Sequence, residues 1–263
     1  MPYRAFRMAA AAVPGIVGRA GVAIGDRAVN PVLEEILHSN QVRDENGVCR
    51  PLRAQMSEAE GELIIAVFEK VKPDTSLEIG FAYGISTLFA CAALDRNAKQ
   101  CRHIVVDPLQ SSEFVGIGLI NIERAGYSRF VDFLETPSEL VLPQLLQAKT
   151  RVQVAIIDGF HTFDHALVDF FYINKMLDVG GVVIFDDVNM PAIARLISHV
   201  TTYPAYRVLM GTAMPRPPNF LVSIRRRLNP RGLSARHSRD NPSCIALQKL
   251  APDTRNWDWH INF

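Results

Sequence analysis

The chain has 263 residues, of which 48% are hydrophobic and 21% are charged, and this predicts one globular domain with a modest extension. Its formal net charge of +1 excludes a general electrostatic attraction to nucleic acid or to acidic lipid. No apolar run reaches the roughly 18 residues that a membrane span needs, and the four cysteines form no CxxC pair. We therefore expect reduced thiols, no zinc site and a cytoplasmic protein.

Residues 1–56 are predicted to form an N-terminal helical arm or cap. The beginning of this arm is rich in alanine, valine, glycine and arginine, as in a weak targeting signal, but a Pro-Gly pair at 14–15 interrupts the apolar run. An arm that packs on the domain or on a partner is the preferred interpretation. Helix is expected across residues 31–70, with a turn at 44–47 and a Ser-x-x-Glu capping box at 57–60.

Strand and helix patterns alternate through the rest of the chain, residues 57–263. Strands are predicted at 76–80, 102–107, 130–135, 152–158 and 181–186, and helices at 84–95, 113–126, 138–148 and 163–177. A helix at 191–202 and strands at 206–210 and 244–250 follow, with a basic insertion at about 213–242 between those two strands. The alternation indicates βαβ units. The predicted fold class is α/β: a doubly wound, mostly parallel seven-stranded sheet with helices on both faces.

The most informative stretch of the chain is Leu77-Glu-Ile-Gly-Phe-Ala-Tyr-Gly-Ile-Ser-Thr87. An apolar strand there enters a turn with Gly80 and Gly84, and a helix opens at Ser86. Glycine lets the backbone turn tightly and approach a ligand, and a helix N-terminus offers unpaired N–H donors. These features predict a pocket for a nucleotide-like cofactor. Because position 82 is alanine, the G-x-G-x-x-G pattern of dinucleotide-binding proteins is not met.

The pattern Glu78-x-Gly80-x-x-x-Gly84-x-Ser86 resembles the first motif of class I S-adenosylmethionine-dependent methyltransferases. The resemblance covers about residues 57–250. It implies a Rossmann-like methyltransferase domain at 57–263 that binds S-adenosylmethionine through these residues. Glu78 could contact the amino-acid end of the cofactor or brace the glycine turn, and the sequence leaves both roles open.

Two later segments resemble other parts of the family's cofactor site. Asp107 ends the second predicted strand of the sheet, and in this family a carboxylate at that place accepts hydrogen bonds from the ribose hydroxyls. The segment Glu135-Thr-Pro-Ser-Glu139 is similar to the one that lines the adenine. Ser138 and Glu139 are the adenine-lining candidates within it.

Three carboxylates follow two neighbouring predicted strands: Asp158 after the fourth, and Asp186 and Asp187 after the fifth. This pattern resembles divalent-metal O-methyltransferases that act on catechols, caffeoyl thioesters and some sugars. Crowded carboxylates repel one another unless a cation or protons compensate, and Mg²⁺ prefers oxygen ligands. The resemblance therefore implies a Mg²⁺ site at the three aspartates. A metal-free alternative keeps Asp158 as a cofactor-side acid and Asp187 as a helix cap.

His161 lies three residues after Asp158, where the catechol-type enzymes carry a catalytic lysine. Imidazole titrates near neutral pH, so His161 is the candidate general base that removes the proton of the acceptor hydroxyl. Asp158 is the second catalytic candidate, because a metal held there would activate the same hydroxyl.

The sequence thus predicts an S-adenosylmethionine-dependent methyltransferase that methylates a small-molecule hydroxyl with Mg²⁺ assistance. Two alternatives stay open: a metal-independent methyltransferase of the same fold with N or C acceptors, and an inactive cofactor-binding protein that works through partners. The arginines of the 213–242 insertion could hold an anionic acceptor. At most weak membrane-surface contact and no nucleic acid are expected there. The tail 257–263 is expected to pack on the core or at a contact between identical subunits.

Overall fold

The computed structural model describes residues 30–53, 56–97, 99–212 and 243–259. Its helices are α1 (Pro31–Ser39), α2 (Glu58–Val71), α3 (Ile85–Arg96), α4 (Ile117–Arg124), α5 (Ser138–Gln147), α6 (Phe163–Met176) and α7 (Pro191–Val200). Its strands are β1 (Gln41–Arg43), β2 (Cys49–Pro51), β3 (Thr75–Ile79), β4 (Arg102–Val106), β5 (Val131–Leu134), β6 (Val152–Ile157), β7 (Leu177–Phe185), β8 (Tyr206–Gly211) and β9 (Ile245–Lys249). The predicted basic insertion lies outside the described residues.

Seven strands form one sheet in the order β5-β4-β3-β6-β7-β9-β8. Strands β3 to β7 run parallel, and β9 is antiparallel to both of its neighbours. The chain moves outward from β3 through β4 to β5, and then returns to the other side of β3 as β6. This reversal opens a crevice at the carboxyl ends of β3 and β6, where open α/β sheets bind their ligands. The predicted fold class is confirmed.

Helices cover both faces of the sheet, because the buried strands are apolar on both sides. Helices α1 to α4 pack on one face, and α5 to α7 pack on the other. Successive residues of β6 serve different layers: Ile156 joins the core under α2 and α3, and Ile157 joins the core under α6 and α7. Such near-continuous apolar strands are typical of parallel sheets with two covered faces.

The start of α2 follows the predicted capping box. The hydroxyl of Ser57 accepts a hydrogen bond from the Glu60 amide at 3.3 Å, and the Ser57 amide donates to Glu60 Oε2 at 2.6 Å. Both groups would otherwise lack partners at a helix N-terminus. The box therefore fixes the entry to α2 and places a buried carboxylate, Glu60, 7% exposed, near the sheet.

The structure differs from the sequence-based prediction between α1 and α2. Residues 31–70 were expected to be helical apart from a turn, but α1 ends at Asn40, which adopts a left-handed φ of 53°. Asparagine tolerates that conformation and commonly ends helices. An antiparallel hairpin, β1–β2, follows around the predicted turn. Leu33 and Val42 of this region belong to the same core as α3.

Two further differences concern the end of the chain and strand β7. Strand β7 begins at Leu177, four positions before its predicted start at 181, and its pairing with β6 shifts register between Val152 and Val154. Trp257 is 85% exposed, so it does not pack on the core, and the alternative expectation of a contact between identical subunits stays a prediction. Residues 260–263 lie outside the described residues. Within the described parts of the chain, no helix has the length and apolarity to cross a bilayer.

Candidate active site

The glycine turn between β3 and α3 has the backbone shape that its sequence predicts. Gly80 and Gly84 have φ values of +93° and +76°, which lie in the left-handed region that favours glycine. A Cβ atom on Gly80 would lie 2.0 Å from the carbonyl oxygen of Asp158. Glycine is therefore required at position 80 because the turn presses against the end of β6.

Helix α3 starts with its backbone donors uncapped. Gly84 is the N-cap residue, and no side chain caps this end of the helix. The hydroxyl groups of Ser86 and Thr87 donate instead to the carboxylate of Glu78. The N–H groups of the first turn thus carry no side-chain cap, and such groups form a site for a ligand carboxylate or phosphate.

Glu78 braces the turn from below. Its side chain has no exposed surface, Oε1 accepts a hydrogen bond from Ser86, and Oε2 accepts one from Thr87 at 2.7 Å. Oε2 also lies 2.7 Å from Nε2 of His103. These contacts favour the bracing role of Glu78 over direct contact with a cofactor.

Asp107 lies at the end of β4 beside the turn and is 5% exposed. Its Oδ2 accepts hydrogen bonds from the Phe81 and Ala82 amides, both at 2.8 Å, and its Oδ1 accepts one from the Leu109 amide at 2.7 Å. The carboxylate therefore stabilises the glycine turn. Oδ1 accepts one hydrogen bond and keeps a second lone pair, and the predicted contact with the ribose hydroxyls stays a prediction.

Ser138 and Glu139 begin α5, at the same end of the sheet as the turn. The Ser138 hydroxyl bonds to Asp169 of α6, a carboxylate that is 1% exposed and that sequence reasoning missed. Burial raises the pKa of Asp169 to about 6, against the lowering effect of Ser138. Asp169 Oδ1 has no hydrogen-bond partner among the described residues. A lone acid within a helix gives no sequence signal, because its burial depends on how α5 and α6 pack.

The acidic edge lies at the ends of β6 and β7. Asp158, His161 and Asp187 are half-buried, and each offers one ligand atom to a set whose atoms all lie within 4.8 Å of one another. His161 Nε2 lies 3.4 Å from Asp187 Oδ2. The third predicted carboxylate, Asp186, is adjacent but outside this set, and its Oδ1 is buried with no hydrogen-bond partner among the described residues.

The electrostatics of this edge favour a bound cation or bound protons. Burial, followed by repulsion from Asp186 and Asp187, raises the pKa of Asp158 well above its usual range. Burial, followed by repulsion from Glu60 and Asp187, also raises the pKa of Asp186 well above its usual range. Glu60 was predicted only as a capping residue, and the fold makes it a fourth acid of this edge. Carboxylate oxygens with one imidazole nitrogen fit a hard or borderline divalent cation.

Comparison with known proteins finds similarity to methyltransferases. Residues 77–188, which run from the glycine turn to the acidic edge, match a family model described as a methyltransferase domain. A caffeoyl-CoA O-methyltransferase from Petroselinum crispum is 28% identical over 182 residues, which cover 63% of this chain and 69% of the relative. One from Pinus taeda is 26% identical over 179 residues, with 62% of this chain and 64% of the relative covered.

Solved structures share the fold. An O-methyltransferase from Bacillus cereus in complex with SAH gives a TM-score of 0.59 at 19% identity and covers 87% of this chain and 94% of its own. The O-methyltransferase TomG from Streptomyces achromogenes, in complex with SAM, gives 0.57 at 14% identity, with 86% and 90% covered.

The fold, the glycine turn and the match of residues 77–188 to a methyltransferase-domain model make this chain similar to class I S-adenosylmethionine-dependent methyltransferases. The curated relatives reported above, to which it is similar, are caffeoyl-CoA O-methyltransferases.

Proposed function

We propose that this enzyme transfers the methyl group of S-adenosylmethionine to a hydroxyl oxygen of a small molecule, and that a divalent cation, Mg²⁺ above all, assists. The observation that carries the proposal is the set of Asp158, His161 and Asp187 ligand atoms within 4.8 Å of one another at the crevice. The names of the curated relatives, caffeoyl-CoA O-methyltransferases, support an oxygen acceptor.

The cofactor would lie across the glycine turn. The uncapped N-terminus of α3 would take its carboxylate, because unpaired N–H donors at a helix N-terminus favour anions. Asp107 would accept hydrogen bonds from the ribose hydroxyls, and the start of α5 at Ser138 and Glu139 would line the adenine. The acceptor would then bind near the carboxyl end of β6, where Asp158 begins the acidic edge.

Asp158, Asp186 and Asp187 would hold the cation. Such a cation lowers the pKa of a coordinated hydroxyl and orients its oxygen. The raised pKa values of Asp158 and Asp186 support this, since a cation would offset the repulsion that the folded chain leaves uncompensated. The unpartnered Oδ1 of Asp186 supplies a further donor beside the three-atom set.

His161 would accept the acceptor's proton at Nε2. Nε2 lies 3.4 Å from Asp187 Oδ2, so that carboxylate would stabilise the imidazolium that forms. The side chain of His161 is 35% exposed, so an acceptor can reach its ring. The same nitrogen could instead ligate the cation, and a comparison of the metal requirement with the turnover of a His161 variant separates these roles.

A metal-free transferase is the second candidate, and one observation favours it. The raised pKa values of Asp158 and Asp186 mean that protons can also relieve the repulsion at this edge. His161 would then carry the proton transfer alone, and nitrogen or carbon acceptors would be open to the enzyme. The third candidate is a protein that binds the cofactor without catalysis and works through partners.

Calorimetric titration with S-adenosylhomocysteine, with and without Mg²⁺, tests the proposal, followed by a screen of catechols, hydroxycinnamoyl thioesters and sugars. Cofactor binding that survives a chelator, together with methyl transfer that stops in the chelator and returns with Mg²⁺, supports the metal-assisted O-methyltransferase. Full transfer in excess chelator would assign the metal-free mechanism.

We further propose that the acceptor is anionic and that the basic 213–242 insertion recognises it. Residues 1–56 are proposed to cap the 57–263 domain.

A further inference from the structure

A continuous chain of hydrogen bonds lies inside the protein beneath the glycine turn. Ser76 Oγ is 2.7 Å from His103 Nδ1, and His103 Nε2 is 2.7 Å from Glu78 Oε2. All three side chains are fully buried. Ser76 and His103 are paired residues on the neighbouring strands β3 and β4, so the register of the sheet creates this contact.

The series of hydrogen bonds continues from Glu78 into α3. Ser86 and Thr87, in the first turn of that helix, donate their hydroxyl groups to the two oxygens of the Glu78 carboxylate. The first turn is thereby fastened to the sheet through one buried acid. This turn carries the uncapped backbone donors of the cofactor site.

His103 completes the environment of that acid. A carboxylate without solvent contact is costly unless hydrogen bonds satisfy it. Among the described residues, His103 is the basic side chain that contacts Glu78, with Nε2 2.7 Å from Oε2, and no lysine or arginine there takes this place. Phe68 packs edge-on against the imidazole ring, with the ring centroids 5.9 Å apart.

We propose that His103 is a positioning residue for the cofactor: through Glu78 it holds the uncapped first turn of α3 in the geometry that binds the cofactor's carboxylate. This rests on the proposed cofactor site. His103 itself touches no ligand, since it is fully buried. Its contribution is preorganisation, because donors that are already fixed lose less freedom on binding.

Three variants test the proposal by calorimetric titration with S-adenosylhomocysteine. His103→Leu removes the contact to Glu78 and should weaken binding by about 10- to 100-fold, the scale of a lost hydrogen bond to a charged group. His103→Gln keeps a side-chain N–H donor and should restore affinity to within about threefold of the natural protein. Phe68→Leu is the matched control: it loosens packing around the same ring without removing a hydrogen bond, and should leave affinity within about threefold.

A fourth variant covers the case in which His103→Leu does not fold. Thr87→Val keeps the side-chain volume and removes only the hydroxyl that reaches Glu78, at the other end of the same link. It should weaken binding by about 10-fold, the lower end of the scale for a hydrogen bond to a charged group, because Ser86 still donates to the same carboxylate. Affinities for His103→Leu and Thr87→Val that match that of Phe68→Leu would overturn the proposal.

Hydrogen exchange without any cofactor gives a second readout. The Leu88 amide donates to the Gly84 carbonyl at 2.9 Å and reports the first turn of α3. Its exchange should accelerate in His103→Leu and Thr87→Val and not in Phe68→Leu. If the natural protein bound no S-adenosylhomocysteine, the proposed function would fail, and exchange at Leu88 alone would then decide the positioning role. Equal exchange in all variants would refute it.

Discussion

The acidic side chains at the ends of β6 and β7 stand out at the scale of single residues. Asp158 and Asp187 contribute to one compact set of ligand atoms, and burial raises the pKa values of Asp158 and Asp186. A folded chain that keeps mutually repelling acids at its crevice gains from whatever neutralises them. We therefore expect the proposed metal binding to be coupled to stability and to methyl transfer at this site.

Asp158→Asn keeps the shape of the side chain and removes one anionic oxygen. We expect the Mg²⁺ concentration needed for half-maximal methyl transfer to rise on the order of 100-fold, because Mg²⁺ relies on anionic oxygens at short distance. The thermal midpoint of the natural protein should increase with Mg²⁺, and this increase should disappear in the variant. Asp164→Asn, an exposed acid at the start of α6, is the control. The metal site would be contradicted if Asp158→Asn were more stable than the natural protein and Mg²⁺ changed the thermal midpoint of neither. The acids would then be a cluster that no cation compensates.

His161→Gln tests the general base. The variant should lower turnover by about 10²- to 10⁴-fold, the usual scale for a lost acid–base group, while cofactor affinity stays near normal. His165→Gln is the matched control, because His165 stacks on Phe160 with ring centroids 5.0 Å apart and does not join the acidic set. Turnover that barely changes in His161→Gln would leave activation to the metal alone.

Asp169 gives a prediction about stability and pH. The pKa of Asp169 is raised to about 6 in the folded protein from an ordinary value of 3.8. Between these values the folded state keeps a proton that the unfolded state loses, so stability falls as the pH rises through this window. Asp169→Asn should therefore be more stable than the natural protein at pH 7.5 by about 1–3 kcal/mol, and this advantage should vanish near pH 3.5. Urea denaturation at both pH values measures it, and an advantage that persists at pH 3.5 would contradict the assignment.

At the scale of elements, the glycine turn joins β3, β6 and α3 into one unit. Gly80 and Gly180 offer a matched pair, since their φ values are +93° and +91°. A Cβ on Gly80 would meet the Asp158 carbonyl at 2.0 Å, whereas nothing lies within 4 Å of one on Gly180. The two positions separate backbone strain from steric exclusion.

Gly180→Ala should cost about 1 kcal/mol of stability, the price of a left-handed conformation for alanine. Gly80→Ala should cost more than about 3 kcal/mol, because the backbone of β6 must also move. It should also abolish S-adenosylhomocysteine binding in the fraction that folds. Chemical denaturation and calorimetry measure these effects. Similar losses in the two variants would show that the close approach to Asp158 does not matter.

At the scale of the whole molecule, the two ends of the sheet differ in function: one end carries the candidate site and the other anchors the C-terminal segment. The carboxyl ends of the parallel strands hold the site. At the opposite end a polar network ties the C-terminal segment down: Asp253 pairs with Arg255 and accepts a hydrogen bond from Asn174, which accepts one from Tyr206. Arg255 also lies over the ring of Tyr203.

Asp253→Asn should weaken this anchor. Hydrogen bonding to Arg255, the main cause, lowers the pKa of Asp253 to about 2 from 3.8, so its contribution is full above about pH 4 and is lost as the pH falls through 2. We expect a loss of about 1–2 kcal/mol at pH 7 that shrinks toward pH 2, measured by urea denaturation. Methyl transfer should be unchanged, because the network lies far from the crevice. Asp258→Asn, at an exposed position, is the control, and an equal loss in both variants would argue against the anchor.

The sequence by itself determined those features that a few consecutive residues can encode. Alternating apolar runs predicted the α/β sheet, the glycines at 80 and 84 predicted the turn, and carboxylates after strand ends predicted the acidic edge. Each of these signals lies within a few consecutive residues. The sequence did not predict the hairpin β1–β2, because each of its strands is three residues long. So short a segment shows too little periodicity for a strand to be distinguished from a helix.

Only the tertiary structure decided which distant groups meet. His103 and Glu78 are 25 positions apart, and the parallel register of β3 and β4 brings them together. Helix packing buries Asp169, and the capping box at α2 delivers Glu60 to the acidic edge. His161, rather than Asp186, joins the compact set of ligand atoms, because the direction of a loop side chain depends on the backbone after β6 and β7. Burial and pairing of charges are properties of the packed chain, so no local pattern could have shown them.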